Sequence, residues 1–218
     1  MKNVIILGAG GFASEIIDTI EELNKTNEEI NVMGFVYENA SPGVGPYGFP
    51  ILGDFDYLEK LDLSEIFFIC AVGTPELKKQ LVDRVKLMRG KFLTIIHPRA
   101  YVSKGTKIGE GCIIQSHCIL VGVDVVLGDF VIFNDNVAIG HAAKIGNYTH
   151  INPNVNISGE AELGAMVFVG VKATILKAKI GDGAVIGACA LITKDVPPNV
   201  MAKGIPAVYS EKTEKRYK

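Results

Sequence analysis

Apolar residues in the first 93 or so positions keep two alternating rhythms. Val4–Gly8 has the character of a short buried strand, and Phe12, Ile16, Ile17, Ile20 and Leu23 follow at helical spacing. Val32–Tyr37 reads as a second strand and Ile66–Val72 as a third. Thr74-Pro75-Glu76 then opens a helix with Pro at its first position, and Leu77, Leu81, Val85 and Met88 mark its apolar face. This alternation predicts a small Rossmann-like parallel sheet, half of a doubly wound fold. Between the second and third strands, Ser41–Pro50 holds three Pro and three Gly and reads as a loop.

From about Thr94 the rhythm changes. Stepping by six from Leu127 gives Leu127, Phe133, Ile139, Ile145, Ile151, Ile157, Leu163, Val169 and Ile175, all large and apolar. In a chain that is 48% hydrophobic, chance supplies that run roughly once in 700 tries from a given start, so the spacing is a repeat. The residue four beyond each of the first eight anchors is small: Val131, Val137, Ala143, Thr149, Val155, Ala161, Val167 and Ala173. Both positions therefore face a narrow, closed interior. The run extends back through Val102, Ile108, Ile114 and Leu120, with one extra residue before Leu127. It continues through Ile180, Ile186 and Ile192, with one residue deleted. A six-residue repeat without helical period predicts a parallel β-helix of about five triangular coils, in which residues about 18 apart stack. A β-sandwich, whose alternation has period two, fits poorly. The predicted organisation is an α/β domain over 1–93, a β-helix over 94–202 and a C-terminal tail over 203–218.

Composition narrows the setting. A formal charge of −2 gives no electrostatic reason to expect nucleic acid or an acidic membrane surface as partner. No apolar run reaches the roughly 18 residues that a spanning helix needs. The apolar start, Val4–Leu7, gives way to Gly8-Ala9-Gly10-Gly11 too soon for a signal peptide. Cys70, Cys112, Cys118 and Cys189 form no CxxC pair and read as free thiols of a reducing compartment, so a cytoplasmic protein is expected.

Ile145-Gly146-Asn147-Tyr148-Thr149-His150 and its neighbours resemble the hexapeptide-repeat acyltransferases, whose left-handed β-helices form trimers. A closer resemblance spans nearly the whole chain. It runs from Gly8-Ala9-Gly10-Gly11 through Gly48-Phe49-Pro50-Ile51-Leu52-Gly53 and Ile96-His97-Pro98 to the hexapeptides and Gly204-Ile205-Pro206-Ala207. That order is similar to the sugar O-/N-acyltransferases of the NeuD/PglD type. The resemblance implies acetyl-CoA as donor, a nucleotide-linked amino sugar or a sialic acid as acceptor, and a homotrimer with active sites between subunits.

Acetyl transfer needs a base for the acceptor's proton, and imidazole suits that role. Of the four histidines, His141 stands two residues past anchor Ile139, an outward position, with Asn134-Asp135-Asn136 one hexapeptide earlier. By resemblance His141 is the catalytic base and Asn134 contacts the sugar. The family usually carries Asp or Glu after this His; here Ala142 follows, and Asp135 or Asp124 from a neighbouring coil could orient the ring instead. His150 is placed by resemblance near the donor thioester, while His117 and His97 read as structural. Gly159, Gly170 and Gly187 could let a pantetheine arm approach the backbone, or could serve turn geometry alone. Lys212, Lys215, Arg216 and Lys218 read as a solvated tail, with the phosphates of CoA as the alternative. No His pair has the spacing of the zinc site in β-helical carbonic anhydrases, so no metal is expected.

In the N-terminal domain, Gly8-Ala9-Gly10-Gly11-Phe12-Ala13 follows a strand and opens a helix, which suits a phosphate. As a dinucleotide fingerprint it would pair with Glu38 on a ribose, but the second mononucleotide unit is missing. By resemblance the loop binds the nucleotide sugar, with Tyr37, Glu38 and Asn39 near the base or sugar and Gly73 beneath the nucleotide. Phe12 stands where the family usually has His, and Tyr37-Glu38 where paired Asp is common. No Ser or Cys is placed to form an acyl-enzyme, so direct attack on the thioester is expected. Transfer to a hydroxyl of a free sugar such as a sialic acid, or a trimer that binds nucleotide sugar without turnover, stays open. A nucleotide-binding oxidoreductase is disfavoured by the hexapeptides.

Overall fold

The computed structural model describes residues 1–26 and 28–211. The chain divides into two compact units, Met1–Pro98 and Arg99 onward. In the first, β1 (Lys2–Leu7), α1 (Gly11–Asn24), β2 (Ile30–Val36), β3 (Gly43–Val44), β4 (Pro50–Gly53), α2 (Phe55–Leu58), β5 (Ile66–Cys70), α3 (Pro75–Leu87) and β6 (Lys91–Phe92) follow in turn. They build one six-stranded sheet in the order β3-β4-β2-β1-β5-β6, parallel except for β3 on β4. Val4–Leu7 of β1 are fully buried at its centre, and Ile16, Ile17 and Ile20 of α1 pack inward. The chain leaves β1 toward β2 and later returns on the other side as β5. The carboxyl end of β1 therefore lies at the topological switch point, where such sheets form a crevice.

The three predicted strands are the long ones; β3, β4 and β6 lack the length to show a period. The predicted loop over Ser41–Pro50 contains β3 and a 3-10 turn at Pro46–Gly48. Pro50 is tolerated because it opens a strand rather than interrupting one.

In the second unit every anchor closes a two-residue strand, from Tyr101–Val102 to Leu191–Ile192. The anchors from Ile114 onward are all buried, as are the small residues from Val131 to Ala173. Phe133 pairs with Ile151 and Ile151 with Val169, in parallel register with a step of 18. The extra residue makes Leu120 face Ile139, and the deletion makes Leu163 face Ile180. Both slips fall in corners, where an added or lost residue leaves the strands in register.

Eight successive corners contain a left-handed residue three past the anchor: Phe130, Asn136, Ala142, Tyr148, Asn154, Glu160, Met166 and Lys172 all have φ between 55° and 62°. For a residue with a Cβ that conformation costs about 1–2 kcal/mol. It turns the amide onto the preceding coil, as in Glu160 N–H to His141 O (2.8 Å) and Lys172 N–H to Pro153 O (3.0 Å).

The C-terminal end departs from the expected tail. Val200–Gly204 adds in parallel to Val185–Ile186 and turns back as Ala207–Glu211 in an antiparallel hairpin. This covers a strand edge that would otherwise stay open. The tail cations Lys212, Lys215, Arg216 and Lys218 lie outside the described residues.

Candidate active site

His141 projects from the corner that follows strand Ala138–Ile139, and it is exposed. Two glycines make room for it. A Cβ on Gly122, one coil earlier, would lie 2.6 Å from His141 Cβ; one on Gly159, one coil later, would lie 2.6 Å from its Nε2. The imidazole therefore lies against the bare backbone of Gly159. The corner is fixed by Ala142 N–H to Val123 O (2.9 Å) and Gly140 N–H to Ile157 O (2.9 Å). Gly159 thus belongs to the corner of His141, and packing of that ring accounts for its lack of a side chain.

Of the two predicted substitutes for the carboxylate missing at 142, one lies at another corner and one at this corner on the preceding coil. Asp135 sits one corner back, where its carboxylate accepts from Ser116 Oγ, which also meets His117 Nδ1 at 3.1 Å. Asp124 holds the left-handed position of the preceding coil and forms no hydrogen bond with the ring among the described residues. The carboxylate on the following coil is Glu160, at the same corner position as Ala142 and paired with Lys177. Lys177's hydrogen bond and charge hold the Glu160 carboxyl below its ordinary range, with a smaller contribution from His141. The spacing of 18 between Ala142 and Glu160 was the available sequence signal.

Asn134 and His150 lie on a different face. Both follow or belong to the strand stack of Phe133, Ile151 and Val169, and both are buried. Asn134 Oδ1 is buried without a hydrogen-bond partner, while His150 stacks on Phe168 with ring centroids 5.5 Å apart. Gly170 continues this face and approaches the backbone of Gly187 and Ala188, so the next coil occupies the space of its side chain. A Cβ on Gly187 would meet Lys203 Cβ at 3.0 Å. The four residues expected around the donor are therefore split, with Gly159 beside His141 and His150, Gly170 and Gly187 together on the other face. Among the described residues no group of three or more His, Cys, Asp or Glu is placed to hold a metal ion.

In the first unit, a cleft of about 760 Å³ opens at the switch point. Gly8, Gly10, Tyr37 and Glu38 line it, together with Val72 and Pro46. Gly8 has φ 98°, and a Cβ there would press on Ala71 O at 3.3 Å, which explains glycine at the exit of β1. Gly11 and Phe12 begin α1 and Gly73 follows Val72, but none of the three lines the cleft. Pro46 and Val44, from the segment read as a loop, form its far wall.

Residues 3–85 match the PglD N-terminal domain family. The UDP-N-acetylbacillosamine N-acetyltransferase of Bacillus subtilis is 34% identical over 116 residues, which is 53% of this chain. That match spans 52%, about half, of the relative's length. The galactoside O-acetyltransferase of Lactococcus lactis is 32% identical over 164 residues, 71% of this chain and 76% of that protein. The crystal structure of PerB from Caulobacter crescentus, in complex with CoA and GDP-perosamine, superposes with a TM-score of 0.87 at 25% identity. The superposition covers 96% of this chain and 98% of that one. The chain belongs to the NeuD/PglD-type sugar acyltransferases of the hexapeptide-repeat superfamily, with a Rossmann-like unit followed by a left-handed β-helix.

Proposed function

We propose that the protein is an acetyl-CoA-dependent N-acetyltransferase of a nucleotide-linked amino sugar, with His141 as general base. The observation that carries this reading is the Gly122–His141–Gly159 corner, where two residues without side chains clear a seat for one exposed imidazole. The cleft at Gly8, Gly10, Tyr37 and Glu38 takes the nucleotide sugar, its phosphates meeting amides at the start of α1. Names of relatives support the substrate class: one is a UDP-N-acetylbacillosamine N-acetyltransferase, and another was crystallised in complex with CoA and GDP-perosamine.

His141 takes a proton from the sugar's amine as its nitrogen attacks the thioester carbonyl. The C–S bond breaks, the amide forms, and the proton passes to the leaving CoA thiolate. Asn134, with an unsatisfied buried carbonyl, and His150 complete the acceptor and donor sites in an assembled homotrimer. An exposed apolar row at Ile119, Val121, Val123 and Leu176, on the His141 side of the coil, supports that assembly.

The test is CoA release with acetyl-CoA against UDP- and GDP-linked 4-amino sugars and their hydroxyl counterparts. Turnover with an amino sugar is expected. Turnover confined to hydroxyl acceptors would overturn N-transfer, and binding without any turnover would overturn the enzyme reading.

A further inference from the structure

The corner of His141 carries one more group that the reaction can use. Reading down the corner, position 141 is followed on later coils by Gly159 and Lys177, and position 142 by Glu160. Gly159 lies under the ring, and Glu160 is the next residue along the same corner. The Glu160 amide donates to His141 O at 2.8 Å, which locks the two residues together. Its side chain is half-exposed and is held by Lys177 Nζ. The other charged groups of this corner include Lys104 and Asp124 on the preceding coils and Lys194 beyond Lys177.

We propose that Glu160 is the carboxylate partner of His141, a positioning residue that stabilises the imidazolium formed when the ring accepts the acceptor's proton. The proposal rests on His141 being the base. A cation appearing on the ring is drawn to an anion within a side chain's length, and the interaction is stronger in the transition state than before proton transfer. Lys177 limits Glu160's freedom and lowers its carboxyl further, but a surface carboxylate is ionised at neutral pH without that help. Ala142 then needs no carboxylate of its own, because the charge arrives from the coil below.

Four variants of the full chain test this. Glu160→Gln is expected to lower kcat roughly tenfold, a part of the roughly 10²–10⁴ that a positioned base supplies, with KM for both substrates unchanged. Ala142→Glu in the Glu160→Gln background is expected to restore most of the loss, although it cannot restore the pair with Lys177. Lys177→Met breaks the same ion pair and is expected to keep most of the turnover. With ¹⁵N-labelled histidine at neutral pH, the ring signals of His141 are expected to move in Glu160→Gln and to stay in place in the remote control Lys107→Gln. An unmoved His141 signal overturns the proposal whatever the activity. Equal losses in Glu160→Gln and Lys177→Met, without rescue by Ala142→Glu, also overturn it, because Glu160 would then only brace the coil. The base reading fails separately, through a His141→Ala variant that retains full turnover.

Discussion

At Gly159 a single missing Cβ decides whether the imidazole of His141 can occupy its place. Gly159→Ala does not strain a left-handed backbone, so its cost falls on the ring rather than on the coil. The expected result is a loss of kcat on the order of 10²-fold, as for a misplacement of about 1 Å, with a thermal midpoint close to wild type. Comparing kcat with a melting curve checks this. Thiols give a second prediction. Cys70 and Cys118 are buried, and burial pushes both thiols up to about 12, whereas Cys189 is exposed at a corner. Native protein is expected to react with Ellman's reagent at one fast site per chain, lost in Cys189→Ser, with the buried cysteines reacting only after unfolding. His141 was legible because the repeat fixes which residues point outward. Glu160 was not, because its place depends on the neighbour one coil away rather than on the adjacent residue.

At the scale of the element, the hexapeptide is a steric rule. Ala161 is fully buried opposite large anchors, and its methyl is all that the interior admits. Ala161→Leu is expected to destabilise by about 1–3 kcal/mol or more through overpacking, seen as a lower denaturation midpoint. Ala142 has φ 56°, so Ala142→Gly is expected to raise that midpoint, gaining up to about 1 kcal/mol from relieved strain. The coil was readable to the residue because each anchor is both a strand end and a core position. Even the inserted and deleted residues fell where the slips predicted. In the sheet unit, β1, β2 and β5 were readable from their apolar runs. The short β3 and β4 are held by pairing rather than by pattern, and β4 begins with Pro50. The hairpin Val200–Glu211 was missed because its outer strand is exposed and lacks a core-facing rhythm.

For the whole molecule, the proposed function assigns acceptor recognition to the first unit and acyl transfer to the second. The apolar row at Ile119, Val121, Val123 and Leu176 predicts self-association, and light scattering is expected to give three times the 23.4 kDa chain mass. Val123→Asp, at 68% exposure, is expected to break the assembly without unfolding the coil. The exposed Glu160 contributes little to stability. Its carboxyl is held below the usual range, so that contribution is present at neutral pH and fades only as pH falls through its lowered folded value.

The central claim is that His141 removes the acceptor's proton. Its most direct test is kcat for wild type and His141→Ala, with acetyl-CoA and the preferred nucleotide-linked amino sugar both saturating. A fall of about 10²–10⁴-fold with unchanged nucleotide-sugar affinity is predicted. A variant that turns over at the wild-type rate would contradict it.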